Sequence, residues 1–204
     1  MGPCVTAIIE ASGRHVHLSH KDAYALFGEG FELLVRHKLG ESEEFLSDSK
    51  VTLIGPGEKE LSASVLGPYR AETQIELSYT EARLLGIRPP LGDSGRLEGT
   101  MGIKVAGPKG EIQLSRGVMV ARRHVHMPPA DAEALGVQDR DMVVLQVDGP
   151  RKMIFQNLLV RVAPVDMETT YSDVHLDYDE WNAAGLEGTS AHGKIYRSIL
   201  DISE

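Results

Sequence analysis

At 204 residues with a formal charge of −9, the chain is long enough for one large domain or two small ones, and it lacks the clustered cationic charge that displaces counterions from nucleic acid. Its single cysteine, Cys4, excludes an intrachain disulfide and a thiolate zinc site. No signal-peptide pattern and no run of about 20 apolar residues is present, so the expectation is a soluble intracellular protein with no membrane partner.

Val5-Thr6-Ala7-Ile8-Ile9 is apolar and partly β-branched and reads as a first strand. It leads through Ala11-Ser12-Gly13 into Arg14-His15-Val16-His17-Leu18. Side chains alternate faces along a strand, so the imidazoles of a His-x-His triplet point the same way, about 7 Å apart, and both reach one metal ion. On a helix the same spacing would set them about 200° apart. Ser19 can cap a short helix with Asp22 in its third position, ending at Gly28. Residues about 29–50 are charged and irregular, with Phe31-Glu32-Leu33-Leu34-Val35 a candidate strand, and read as an inserted hairpin or flap.

From Val51 short apolar runs alternate with glycine: Val51-Thr52-Leu53-Ile54, then Ala63-Ser64-Val65-Leu66 before a turn at Gly67-Pro68-Tyr69. Strands this short and this closely spaced predict a barrel or sandwich, a mainly β fold. Gln74-Ile75-Glu76-Leu77-Ser78 alternates, placing Gln74, Glu76 and Ser78 on one face. Thr80 is the expected cap of a helix over Glu81-Ala82-Arg83-Leu84-Leu85, stopped by Gly86. The Gly-rich stretch from Leu91 to Thr100, with Asp93 and Arg96, reads as a loop without a phosphate-loop pattern. Strands are expected at Ile103–Ala106, Ile112–Leu114 and Val118–Ala121.

The second half repeats the first. Arg123-His124-Val125-His126-Met127 copies the earlier histidine stretch, and a constant offset of 109 residues separates His15 from His124 and Leu26 from Leu135. This is an internal duplication of strand, cap and short helix, each copy carrying a ligand pair. Strands follow at Met142–Val147, Ile154–Phe155, Leu158–Val162 and Val174–Asp177, then a helix from Asp179 to Ala184. Such short helices close the ends of barrels. In the tail, Ile195, Ile199 and Ile202 stand at helical spacing, either a docking helix or an element packed on its own domain.

Zinc sites take about three protein ligands and leave a position open. Glu76 is available to complete the first pair, although a strand Glu is also commonly just solvated. His175 is available to the second pair, or as a hydrogen-bonded core residue. Arg70, after the turn, can bind phosphate bidentately or face solvent. Imidazole and carboxylate also suit cobalt or nickel.

Four ordered stretches resemble the phosphotransacylases of the propanediol-utilisation type, the phosphate propanoyltransferases. They are Arg-His-Val-His-Leu-Ser, Leu66-Gly67-Pro68-x-Arg70-x-x-Thr73-Gln74-x-Glu76-x-Ser78, Arg123-His124-Val125-His126-Met127, and His175-x-Asp177-x-Asp179-Glu180-x-Asn182-Ala183-Ala184. The resemblance implies two interleaved β-barrels capped by short helices, one from residues 14–121 with the hairpin at about 29–50, the other from 1–13 with 122–204. It implies two zinc ions in a cleft between them, one on His15, His17 and Glu76 and one on His124, His126 and His175. Arg70 would bind the phosphate or acyl phosphate, and Ser12, Leu66 and Asn182 match positions near coenzyme A.

The chain departs from the family pattern at Glu41-Ser42-Glu43-Glu44-Phe45, where Gln-Pro-Gly-Gln-Phe is usual, and at Ser64, where Arg is expected. Family members bound for bacterial microcompartments often carry an N-terminal amphipathic helix, whereas the segment before His15 reads as a strand. The expected place is the cytoplasm, with a microcompartment association and a homo-oligomer as further alternatives.

The expected activity is reversible acyl transfer between coenzyme A and inorganic phosphate, with acyl-CoA and phosphate as the small-molecule substrates. No serine is paired with a base and Cys4 lies outside every motif, so direct attack without an acyl-enzyme is expected. Two other readings remain: a metal-dependent hydrolase of phosphate or acyl esters, and a non-catalytic barrel with structural histidines.

Overall fold

The computed structural model describes residues 2–41, 43–164 and 169–202; Ser42 lies outside them. Strand accounts for 45% and helix for 16% of the chain, which settles the mainly β class. The strands are β1 Cys4–Ser12, β2 His15–Ser19, β3 Val35–Lys38, β4 Phe45–Ile54, β5 Glu60–Arg70, β6 Gln74–Glu76, β7 Leu91–Gly92, β8 Lys104–Ala106, β9 Glu111–Gln113 and β10 Val118–Ala121, followed by β11 His124–Met127, β12 Met142–Val147, β13 Met153–Val162, β14 Ser172–Asp177 and β15 Ser190–Tyr196. The α-helices are α1 His20–Phe27, α2 Tyr79–Leu85, α3 Pro129–Leu135 and α4 Tyr178–Ala183.

The chain divides into two compact units, Gly13–Ala121, and Met1–Ser12 with Arg122–Glu204. The discontinuous unit is a closed barrel in the order β1-β14-β11-β13-β12-β15, sealed by antiparallel pairing of β15 with β1. Its interior is apolar: Ile9, Val125, Met127, Leu145, Leu158, Val160, Val174, Leu176 and Ile195 expose 0% of their surface. Each such side chain, removed from water, favours the fold by about 1.5–3 kcal/mol.

The continuous unit is a nine-stranded curled sheet, β7-β10-β6-β2-β5-β4-β8-β9 with β3 added on β4. It is the half-barrel counterpart of the closed one, with β7 and β9 at its two ends. Its own core gathers Val16, Leu18, Leu53, Val65, Ile75, Leu85 and Val105.

The duplication visible in the sequence extends to topology. β10-β6-β2-β5-β4 and β1-β14-β11-β13-β12 run through the same series of pairings: parallel, antiparallel, parallel, antiparallel. In both series the His-x-His strand lies in the middle. Its apolar residues, Val16 and Leu18 or Val125 and Met127, enter the core, and alternation sends both histidines to the opposite face.

Several sequence expectations are corrected. The hairpin strand is Val35–Lys38, not Phe31–Val35, because Phe31 stacks on Phe27 with ring centroids 4.3 Å apart and so stays with the end of α1. The other arm of that hairpin is no flap, since β4 runs on through Ile54 beside β5. Gly67-Pro68-Tyr69 is strand, not turn. Gly67 pairs with Phe45, and a Cβ there would run into the Phe45 ring. The cap of α2 is Ser78 in place of Thr80, because Ser78 and Glu81 satisfy each other's backbone N–H in a capping box. The tail from Lys194 to Ile202 is not the expected helix: Ile195 lies in β15, where it closes the barrel, and among the described residues a 3-10 turn, Ile199–Asp201, follows. The expected break between Phe155 and Leu158 is a bulge in one continuous strand, with Asn157 at φ 57°.

Candidate active site

In the continuous unit, β2 and β6 are antiparallel, with His15 directly opposite Glu76 and His17 opposite Gln74. Directly paired residues share a face, with Cβ atoms about 5 Å apart. One ligand atom from each of His15, His17 and Glu76 lies within 4.8 Å of the others, and all three residues are buried. The Nδ1 of His15 is 2.8 Å from the carbonyl oxygen of Gly13. A carbonyl only accepts, so in the neutral ring Nδ1 carries the hydrogen and the Nε2 lone pair is left for an ion. That Nε2 lies 3.6 Å from Glu76 Oε2.

Gln74 fixes Glu76 by donating to its Oε1 at 2.6 Å. The Gln74 amide is held in turn, by Ser94 Oγ at 2.9 Å and by the Gly95 N–H at 2.8 Å. The stretch expected as a loop from Leu91 to Thr100 begins instead with β7, and the loop after it orients a carboxylate through Ser94 and Gly95. His17 Nδ1 is buried with no hydrogen-bond partner among the described residues. Burial first, then His15 and Arg70, hold the His17 ring far below the usual imidazole range and therefore neutral. A buried carboxylate beside two imidazoles, one with an orphaned nitrogen, suits a bound cation.

The barrel carries the counterpart. On β11 and β14 His124 is directly opposite His175, and His126 is opposite Asp173. His124, His126 and His175 bring ligand atoms within 4.8 Å of one another, with ring centroids 4.9–5.2 Å apart. His124 Nδ1 lies 2.9 Å from the Arg122 carbonyl oxygen, repeating the His15 arrangement. Burial, then His175, keeps His124 well below the usual imidazole range. A further group, Glu10, Asp173 and His175, shares His175 with this triad, and Asp173 Oδ2 is 3.2 Å from His175 Nε2.

The duplicated arginines have a task that sequence reasoning missed. Arg14 pairs with Glu81 at 2.8 Å and Arg123 with Glu180 at 2.7 Å. Each glutamate is also the third-position residue of a capping box, at the start of α2 and of α4. The residue before each histidine pair is thereby tied to the helix that follows its third-ligand strand. Asp22 accepts from Thr73 as Asp131 accepts from Ser172, a third duplicated link.

Arg70 ends β5, half-buried, and its Nη2 lies 2.6 Å from Glu44 Oε1. Leu66 is the parallel neighbour of His17 and is buried, and Ser64 is the neighbour of His15. Ser12 ends β1 opposite Asp177, and Asn182 is exposed on α4. Cys4 is exposed on β1. Among the described residues no helix is long and apolar enough to cross a membrane.

The profile of the phosphate propanoyltransferase family matches residues 8–187. The chain belongs to the phosphate propanoyltransferase family. The phosphate propanoyltransferase of Clostridioides difficile is 45% identical to it over 184 residues, covering 90% of this chain and 86% of that protein. That of Thermotoga maritima is 46% identical over 180 residues, covering 88% and 84%, and that of Listeria monocytogenes 41% over 179 residues, covering 88% and 82%. As a phosphate propanoyltransferase family member the chain is an acyltransferase enzyme.

Proposed function

We propose that the chain converts a short-chain acyl-CoA and inorganic phosphate, reversibly, to acyl phosphate and free coenzyme A, with two metal ions, zinc by first choice. His15, His17 and Glu76 hold one ion and His124, His126 and His175 the other. The observation that carries this reading is the construction of the same triad twice, a His-x-His strand completed by the residue opposite its first histidine. Ions in such sites supply Lewis-acid stabilisation of a thioester oxyanion and of a departing thiolate.

The chain's own residues do the rest. The Gly13 and Arg122 carbonyls fix the tautomers of His15 and His124, and Gln74 fixes Glu76. Arg70 binds phosphate through its guanidinium and sets the direction of attack. The phosphate oxygen bonds to the acyl carbon, the C–S bond breaks, and the thiolate leaves with the proton that phosphate gives up. With Cys4 in neither triad, the transfer is direct, without an acyl-enzyme. Ser12, Leu66 and Asn182 are the residues assigned to coenzyme A. Propanoyl-CoA is the first acyl donor to test, since the relatives carry that name.

The test is thiol release from propanoyl-CoA and acetyl-CoA, with and without phosphate, before and after chelation. Release that needs both phosphate and metal supports the reading. Release by hydrolysis without phosphate overturns it in favour of a metal-dependent hydrolase. The cytoplasm is the proposed location, and copurification with microcompartment shell proteins would move it there.

A further inference from the structure

Glu44 closes the β3–β4 hairpin, its carbonyl accepting from the Leu39 N–H at 3.0 Å. Its Oε1 lies 2.6 Å from Arg70 Nη2 and 4.0 Å from His17 Nε2. One carboxylate oxygen therefore stands between the guanidinium assigned to phosphate and an imidazole of the first triad. The acyl transfer described above gives it no role.

An oxyanion that docks on Arg70 meets this second anion at close range. A guanidinium has five N–H donors, and the bond to Glu44 leaves others for a ligand. What the ligand presents to Glu44 then decides the outcome. Hydrogen phosphate carries an O–H that can donate to the carboxylate, a short charge-assisted bond. Sulfate has the same shape and charge but only acceptors, so it faces Glu44 with repulsion and an unmade hydrogen bond. Sites built to pair a ligand hydroxyl reject the analogue that lacks it.

Resting on the proposed reaction, we propose that Glu44 is a specificity-determining residue: it accepts a hydrogen bond from the hydroxyl of hydrogen phosphate held on Arg70 and so selects protonated oxyanions over sulfate. The Glu44 side chain keeps 32% of its surface exposed. Solvent moderates the discrimination to about tenfold, well below that of a dry site.

Calorimetric titration of inorganic phosphate and of sulfate into the metal-loaded protein, without acyl-CoA, reads this directly. The unaltered chain binds phosphate about tenfold tighter than sulfate. In Glu44→Gln, whose amide can donate to either anion, the ratio collapses to about two or less, and sulfate becomes a competitive inhibitor of phosphate-dependent thiol release. Glu44→Ala, which removes the acceptor, loses the ratio as well and stands in if the Gln variant does not fold. A ratio near one in the unaltered chain, or one that survives in a folded Gln or Ala variant, overturns the proposal. If no acyl-CoA turns over but phosphate selectivity depends on Glu44, the acyl-transfer reading falls and the anion selectivity stands.

Discussion

His124 and His175 face each other across the antiparallel β11–β14 pair, and Glu76 holds the position of His175 opposite His15 in the other unit. The two positions are equivalent by strand, face and register, yet one is an imidazole and the other a carboxylate.

Equivalence predicts interchange. His175→Ala should lower the metal content of the purified protein from two equivalents to one and abolish turnover. His175→Glu should retain the second ion with affinity reduced about 10–100-fold, the usual scale for a perturbed but complete shell. Elemental analysis after dialysis against graded chelator checks both; equal losses in the two variants would count against the triad.

Arg123 and Glu180 should couple. Burial raises the Glu180 carboxyl above its ordinary value while Arg123 opposes that rise, so the ion pair compensates only in part for desolvation. A double-mutant cycle with Arg123→Ala and Glu180→Gln should give a coupling of about 1 kcal/mol, discounted for partial exposure. Arg123→Ala should also weaken metal retention in that unit, since the Arg sits one residue before His124. Urea unfolding of the four proteins measures the first effect and metal analysis the second.

The buried histidines set an acid limit. His17 and His124 are held below the ordinary imidazole range by burial and neighbouring positive charge, whereas in the unfolded chain each titrates near 6.5. Above that pH both states are neutral and nothing is lost. As pH falls through about 6.5 the unfolded chain takes up protons that the native state refuses, so stability drops by about 1.4 kcal/mol per pH unit for each histidine. Metal-free protein unfolded in urea at pH 7.5, 6.5 and 5.5 should show this, and His124→Asn should flatten the slope. A stability that rises on acidification contradicts the burial of these rings.

Arg70→Ala should raise KM for phosphate at least tenfold while leaving KM for acyl-CoA within about twofold, because of the two substrates phosphate alone loses a charged partner. Initial rates with each substrate varied in turn separate the two. A matched rise in both would assign Arg70 to packing around Glu44.

The histidine pairs were legible because alternation on a strand is a period-two rule that tertiary context does not alter, and the constant offset exposed the duplication. Glu76 was harder. Its solvated alternative failed because β6 lies between β10 and β2, covered on both sides. The sequence held an unused signal: Thr73-Gln74-Ile75-Glu76-Leu77-Ser78-Tyr79-Thr80-Glu81 aligns with Ser172-Asp173-Val174-His175-Leu176-Asp177-Tyr178-Asp179-Glu180 at an offset of 99 residues. That alignment pairs the third ligands and both capping boxes, and it would have moved the α2 cap from Thr80 to Ser78. The roles of Arg14 and Arg123 depend on contacts with residues more than fifty positions away in the chain, with no local signature. The helical reading of Ile195, Ile199 and Ile202 failed because β15 is recruited into the gap between β1 and β12, a pairing that outweighs local spacing.

The first strand belongs to a barrel whose other staves all come after residue 121. During translation β1 emerges before both of its neighbours, β14 following about 160 residues later and β15 about 180. At typical elongation rates it waits roughly ten to thirty seconds with both edges unpaired, while the intervening segment can already collapse around its own core. The newborn chain is therefore vulnerable to misassociation at β1, and a ribosome stalled before Ser172 would display that strand without the partners that cover it.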